Sequence, residues 1–132
     1  MTGFPLKIVT PDGLEFDGMA ESLTVRTVTG DMGIMAKHVD CVAPLGMGEA
    51  TVVIDGQRRR AACIGGMVSV INGVVNLVPT TFEWADEIDV ARAEASEKRA
   101  QAVLANKNAT DTEIKLAKAR LKRALVRKNV RR

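Results

Sequence analysis

The residues able to do chemistry are few. One histidine, His38, lies two positions from Asp40, and the chain has no tyrosine. His38 with Asp40 lacks a nucleophile and a third, orienting group, and a single histidine near a turn is ordinarily a surface residue. Cys41 and Cys63 match no metal-binding or redox spacing and read as buried thiols of a reducing compartment. The arginines offer a different chemistry. Asp89 and Arg92 stand at i, i+3, and Arg123 and Arg127 at i, i+4, so on helices each pair projects from one side. Guanidinium forks placed this way suit a polyanion. The bland readings are an ordinary helix ion pair worth a few tenths of a kcal/mol for the first pair and a solvated face for the second. Arg58-Arg59-Arg60 reads as an exposed strand. This inventory argues against an enzyme.

The charge is unevenly divided. Residues 111–132 carry Lys115, Lys118, Arg120, Lys122, Arg123, Arg127, Lys128, Arg131 and Arg132 against Asp111 and Glu113, a net +7. The whole chain is +3, so the remainder is −4. A basic tail on an acidic body implies an anionic partner: nucleic acid, phospholipid, a nucleotide or an acidic protein surface.

Two kinds of element must position these groups. The 132 residues are 46% hydrophobic and 27% charged, an ordinary globular composition. The uncharged run from Ala61 to Phe82 is punctuated by Gly65-Gly66, Asn72-Gly73 and Pro79, which suits strands and not a membrane span. Met1 to Pro5 has neither the basic nor the apolar stretch of a secretory signal. Leu6–Thr10 and Leu14–Ala20 alternate around a Pro11-Asp12-Gly13 turn. Ser22–Thr29 follows, then a tight turn expected at Gly30-Asp31-Met32-Gly33. Thr51–Ile54 with Gln57–Ile64, and Met67–Ile71 with Val74–Val78, read as hairpins on Asp55-Gly56 and Asn72-Gly73, residues suited to type I′ turns. The methionines Met19, Met32, Met35, Met47 and Met67 read as core fillers or interface contacts.

The period changes after Thr81. A first helix is expected from about Glu87 to Ala105, with Ile88, Ala91, Ala95, Ala102 and Ala105 near one face. Trp84 reads as a packing anchor just before it. Thr110-Asp111-Thr112-Glu113 has the capping-box pattern. A second helix then runs to about Val126 or beyond, with Ile114, Ala117, Leu121, Ala124 and Leu125 in one stripe. The expected fold is therefore α+β: an antiparallel β-sandwich over residues 1–85, followed by an antiparallel two-helix hairpin over residues 86–132. Two helices alone bury little surface, which makes the hairpin a candidate switch.

In order and spacing, several segments resemble the epsilon subunits of bacterial F-type ATP synthase over essentially the whole chain. Val9-Thr10-Pro11-Asp12-Gly13 is similar to that family's first strand and turn. Gly30-Asp31-Met32-Gly33-Ile34 resembles its G-[ED]-[LIM]-G-[IV] segment, with His38 at the expected distance after it. Gly65-Gly66 resembles the glycine pair opening the last hairpin. Ile88-Asp89-Val90-Ala91-Arg92-Ala93 fits the [IL]-D-x-x-R-A motif of members that bind ATP, and Leu121-Lys122-Arg123-Ala124-Leu125 resembles their second helix. Ala36-Lys37 departs from the Pro-Gly usual before the histidine.

The resemblance implies a non-catalytic subunit of the rotor's central stalk, peripheral on the cytoplasmic face of the bacterial membrane and touching it only through the Fo complex. The sandwich would bind the gamma subunit and sit on the c-ring, with Asp31 and His38 facing the ring, and so couple proton or sodium flow to rotation. The hairpin would fold back or extend to engage the catalytic alpha/beta head and block ATP hydrolysis. No cofactor is implied beyond ATP as a regulatory ligand, taken by Glu83, Ile88, Asp89, Arg92, Ala93, Arg123 and Arg127. With an antiparallel hairpin, Arg92, Arg123 and Arg127 would converge on the phosphates, and Glu83 and Asp89 would accept from the ribose or adenine. A basic nucleic-acid-binding module is the alternative, weakened by the lack of interleaved aromatic residues. A membrane-surface helix is weakened by the lack of Trp or Phe in the tail.

Overall fold

Apolar–polar alternation carries the first part of the chain through ten strands in the computed structural model, which describes residues 3–131. They are β1 (Phe4–Thr10), β2 (Gly13–Ala20), β3 (Ser22–Thr27), β4 (Gly30–Met35), β5 (Cys41–Pro44), β6 (Met47–Ile54), β7 (Gln57–Ile64), β8 (Met67–Ile71), β9 (Val74–Val78) and β10 (Thr81–Trp84). One sheet has the order β2-β1-β9-β8-β5 and the other β10-β7-β6-β3-β4. Neighbours pair antiparallel except β1 and β9, which run parallel with Leu6 opposite Val75. Inward positions at period two, among them Leu6, Ile8, Leu23, Val25, Val52, Val68, Val70, Val75 and Leu77, form one buried core. Each such side chain contributes about 1.5–3 kcal/mol by leaving water.

The turns follow their chemistry. Asp55 and Asn72 take φ of 51°, and Gly56 and Gly73 take 75° and 80°, the two positive values of a type I′ hairpin. Gly66, at φ 91°, has no room for a side chain, since an added Cβ would lie 2.1 Å from the carbonyl oxygen of Val78. Thr10 and Thr27, both buried, each bend their hydroxyl back into the turn that follows. Thr27 Oγ1 donates to the Gly30 carbonyl at 2.7 Å and accepts from the Thr29 N–H at 3.2 Å. This device corrects the expected turn at Gly30–Gly33: the chain reverses at Val28-Thr29, and Gly30–Met35 is strand β4, registered on β3.

Trp84 is buried, as expected of a packing anchor just before the helices. It lies inside β10 opposite Ala61, with Phe82 edge-on to it at 4.8 Å between ring centroids and the Arg59 guanidinium 3.8 Å from its ring centroid. Aromatic residues two apart in a strand share a face, which holds Thr81–Trp84 in the sheet. Of the methionines expected as core fillers or interface contacts, Met32 packs against the core, Met47 is half-buried, and Met19, Met35 and Met67 are exposed.

The chain divides into two units at the Ala85–Asp86 junction. A 3₁₀ turn (Ala85–Glu87) spans that junction; in the second unit α1 (Val90–Ala105) is followed by a short polar link and α2 (Asp111–Arg131). The capping box closes reciprocally. The Glu113 N–H donates to Thr110 Oγ1 at 3.1 Å, and the Thr110 N–H donates to Glu113 Oε1 at 3.2 Å. The buried positions are Ala93 and Ala100 on α1 with Ala117, Ala124 and Val130 on α2, the alanines spaced seven apart on each helix. The expected α1 face is therefore corrected: Ala91, Ala95, Ala102 and Ala105 are exposed. Alanines occur on every side of α1, so small size alone does not mark the inner face. On α2 the expected stripe holds at Ala117 and Ala124, while Leu125 is exposed.

Candidate functional site

In the helical unit, Asp89 is the N-cap of α1. Its Oδ1 accepts the Arg92 backbone N–H at 3.1 Å, one of the orphan donors of a first helical turn. Asp89 therefore serves the main chain of Arg92, whose side chain is exposed. Ile88 and Ala93 are buried and act as packing residues.

Glu97 and Lys128 meet across the seam at 3.0 Å, which sets the antiparallel register. With a rise of 1.5 Å per residue, Arg92 then stands roughly 9 Å from Arg127 and roughly 15 Å from Arg123 along the hairpin. Arg123 shares a groove of about 500 Å³ with Arg99, Arg120, Glu113 and the apolar Val103 and Leu116. Arg92 and Arg127 do not line that groove. A second groove of about 550 Å³ lies among Val90, Glu94, Lys128, Asn129 and Arg131. Arg99 and Arg120 were not singled out from the sequence. Helical spacing could have found both, because Arg99 lies two turns beyond Arg92 and Arg120 lies i−3 from Arg123. With three arginines against one glutamate, the lining of this groove has the charge to attract an anion. Glu83 belongs to the other unit, on β10 opposite Ala62, where it is half-buried and engaged.

In the β unit, Asp31 lies on edge strand β4 directly opposite Arg26 of β3, and Arg26 Nε donates to Asp31 Oδ1 at 2.7 Å. His38 lies in the following loop, with Nδ1 2.8 Å from the Val39 carbonyl oxygen. A carbonyl only accepts, so that nitrogen carries a proton. Asp40 Oδ1 accepts the Asn72 N–H at 2.8 Å and ties this loop to the β8–β9 turn. Val39 and Met35, 75% and 69% exposed, stand beside it.

The outer face of the first sheet carries an exposed apolar patch on β5, β8 and β9, while Lys7 and Asp17 make it charged on β1 and β2. Met67 pairs with Val78 and Ile71 with Val74, and Val42 on the neighbouring strand adds to the patch; all five are exposed. Cys63 is buried and its thiol is pushed up to about 12 by desolvation, which makes it inert. Cys41 departs from the expectation of a buried thiol: it is half-buried, 4.0 Å from His38 Nδ1. Among the described residues there is no cluster able to hold a metal ion, and no helix long and apolar enough to cross a membrane.

A ten-stranded sandwich followed by a two-helix hairpin is an architecture with known relatives. The profile for the ATP synthase Delta/Epsilon chain beta-sandwich domain matches residues 3–85, and that for its long alpha-helix domain matches residues 86–130. The chain belongs to the ATP synthase delta/epsilon chain family. Within it, the curated relatives include bacterial epsilon chains, a non-catalytic subunit. That of Bacillus velezensis is 41% identical over 95% of this chain and 94% of its own length. That of Ruminococcus albus is 40% identical over 98% and 97%. In fold, the chain is similar to one in the mitochondrial ATP synthase of Euglena gracilis, with a TM-score of 0.85 at 20% identity over 98% of this chain and 81% of that one. A chain in the central stalk and c-ring structure of the Tetrahymena thermophila enzyme gives 0.67 at 15% identity over 97% and 96%.

Proposed function

We propose that this chain is a rotor subunit of a bacterial ATP synthase that couples ring rotation to ATP synthesis and carries a reversible, ATP-sensitive brake on hydrolysis. The β unit docks the gamma subunit and the c-ring on the cytoplasmic face of the membrane. The exposed patch Val42, Met67, Ile71, Val74 and Val78 supports a protein partner, since a sheet face of this character is buried at interfaces. Asp31, near the turn end of β4, and His38, in the loop past the other end of that strand beside the exposed Val39, supply the ring contact.

The observation that carries the regulatory reading is the helical seam. The buried positions of the two helices are four alanines and Val130, which bury less apolar surface than leucines in the same places, so the helices separate at modest cost. Basic α2 then has a complement in acidic surface on the alpha/beta head, an attraction of a few kcal/mol at most in salt. ATP opposes this by binding the closed hairpin alone. Its phosphates take Arg123 together with Arg92 and Arg127, guanidinium arms bridging the separation along the hairpin. Ligand at a hundredfold excess over Kd adds about 2.7 kcal/mol to the closed state. Ion coupling to protons or sodium belongs to the membrane sector.

Two measurements test the reading. ATP hydrolysis by the assembled catalytic complex is compared with the full chain and with a chain ending at Ala85, and equal rates would remove the brake. ATP titration of the full chain gives saturable binding that Arg92→Ala and Arg123→Ala weaken. No saturation up to millimolar ATP would remove the sensor.

A further inference from the structure

Arg26 sits on a shelf that the neighbouring strand leaves open for it. A Cβ added at Gly48 would lie 2.6 Å from Arg26 Cβ and 3.0 Å from Cγ, and one at Gly46 would lie 3.5 Å from Cγ. The Gly46 N–H donates to the Arg26 carbonyl at 2.9 Å, which holds the main chain against that shelf. The stem is thereby directed across β3 to Asp31, its cross-strand partner, with side chains 51% and 60% exposed. In water such a pair is worth little. Its value changes when a second surface covers it, because an unpaired carboxylate taken out of water carries a large desolvation penalty.

We propose that Arg26 is a positioning residue for the contact Asp31 makes with the membrane rotor ring. It holds the carboxylate in one orientation on the edge strand and neutralises it as the ring covers the site. The inference rests on the reading of Asp31 as a ring contact. It adds a residue no motif marked, and it gives Gly48 a reason: a side chain there would push the arginine off line.

The test is the affinity of the full chain for the purified ring of c subunits in detergent. It compares Asp31→Ala, Arg26→Ala, the double variant and Gly48→Ala, with thermal midpoints recorded as the control for folding. The reading predicts that Asp31→Ala weakens binding. The inference predicts that Arg26→Ala weakens it further, roughly tenfold or more from the native affinity, because it strands the carboxylate under the ring. The double variant returns to the Asp31→Ala level. Gly48→Ala, which keeps both charges, shifts toward Arg26→Ala. No effect of Asp31→Ala overturns the ring reading and the inference with it. A loss on Asp31→Ala with native affinity for Arg26→Ala, or simple additivity in the double variant, leaves the reading standing and overturns the inference alone.

Discussion

Glu97 of α1 and Lys128 of α2 meet across the alanine seam, with Nζ 3.0 Å from one carboxylate oxygen and 3.4 Å from the other, and the glutamate side chain is only 16% exposed. A shielded pair between alanine rows fixes the register of two helices that could otherwise slide, since alanines seven apart look alike at each step. Glu97→Gln leaves the lysine without its counter-charge and costs the hairpin about 1 kcal/mol. The reversed pair, Glu97→Lys with Lys128→Glu, recovers part of that. Amide exchange of α1 and α2 reports both. Unchanged exchange in Glu97→Gln would show the pair to be incidental.

The start of α2 depends on one reciprocal bond pair. Thr110→Ala removes the acceptor for the Glu113 N–H and is expected to cost about 1 kcal/mol. Circular dichroism should show a lower helical melting temperature, while the β unit, monitored through Trp84 fluorescence, keeps its own.

Gly66→Ala is expected to be among the most damaging single changes. It combines a positive φ with a clash against the backbone of Val78, and neither can relax by a rotamer change. A loss of about 3 kcal/mol or more in denaturant midpoints is expected for the β unit. Gly73→Ala, where nothing lies within 4 Å, should show only the smaller cost of its φ.

The two thiols should react differently. Cys41 labels in the native protein, whereas Cys63 labels only on unfolding. Burial raises the Cys63 pKa from 9.0 to about 12. The folded state therefore holds a proton that the unfolded chain releases above about pH 9, and stability falls as pH rises from there toward 12. The loss attributable to this group is about 4 kcal/mol at most. Denaturation of Cys63→Ala between pH 8 and 11 should show a flatter slope than the native chain.

Much of the architecture was legible along the chain. The Asp55-Gly56 and Asn72-Gly73 hairpins, the capping box at Thr110 and the division near residue 85 all follow from local chemistry, because each needs only neighbouring residues to satisfy it. The arginine pairs were equally visible as helical spacings. What the sequence could not decide was set by partners far along the chain. Trp84 joins a strand because Ala61 of β7 is there to pair with it. The inner face of α1 is settled by Glu97 finding Lys128, thirty-one residues away, and not by the pattern of alanines. Helix period and cap chemistry state which side chains share a face. Only the antiparallel register states which of them stand level, so it was the tertiary structure that set Arg123 beside Arg99 and Arg120 and held Arg92 about 15 Å along the hairpin.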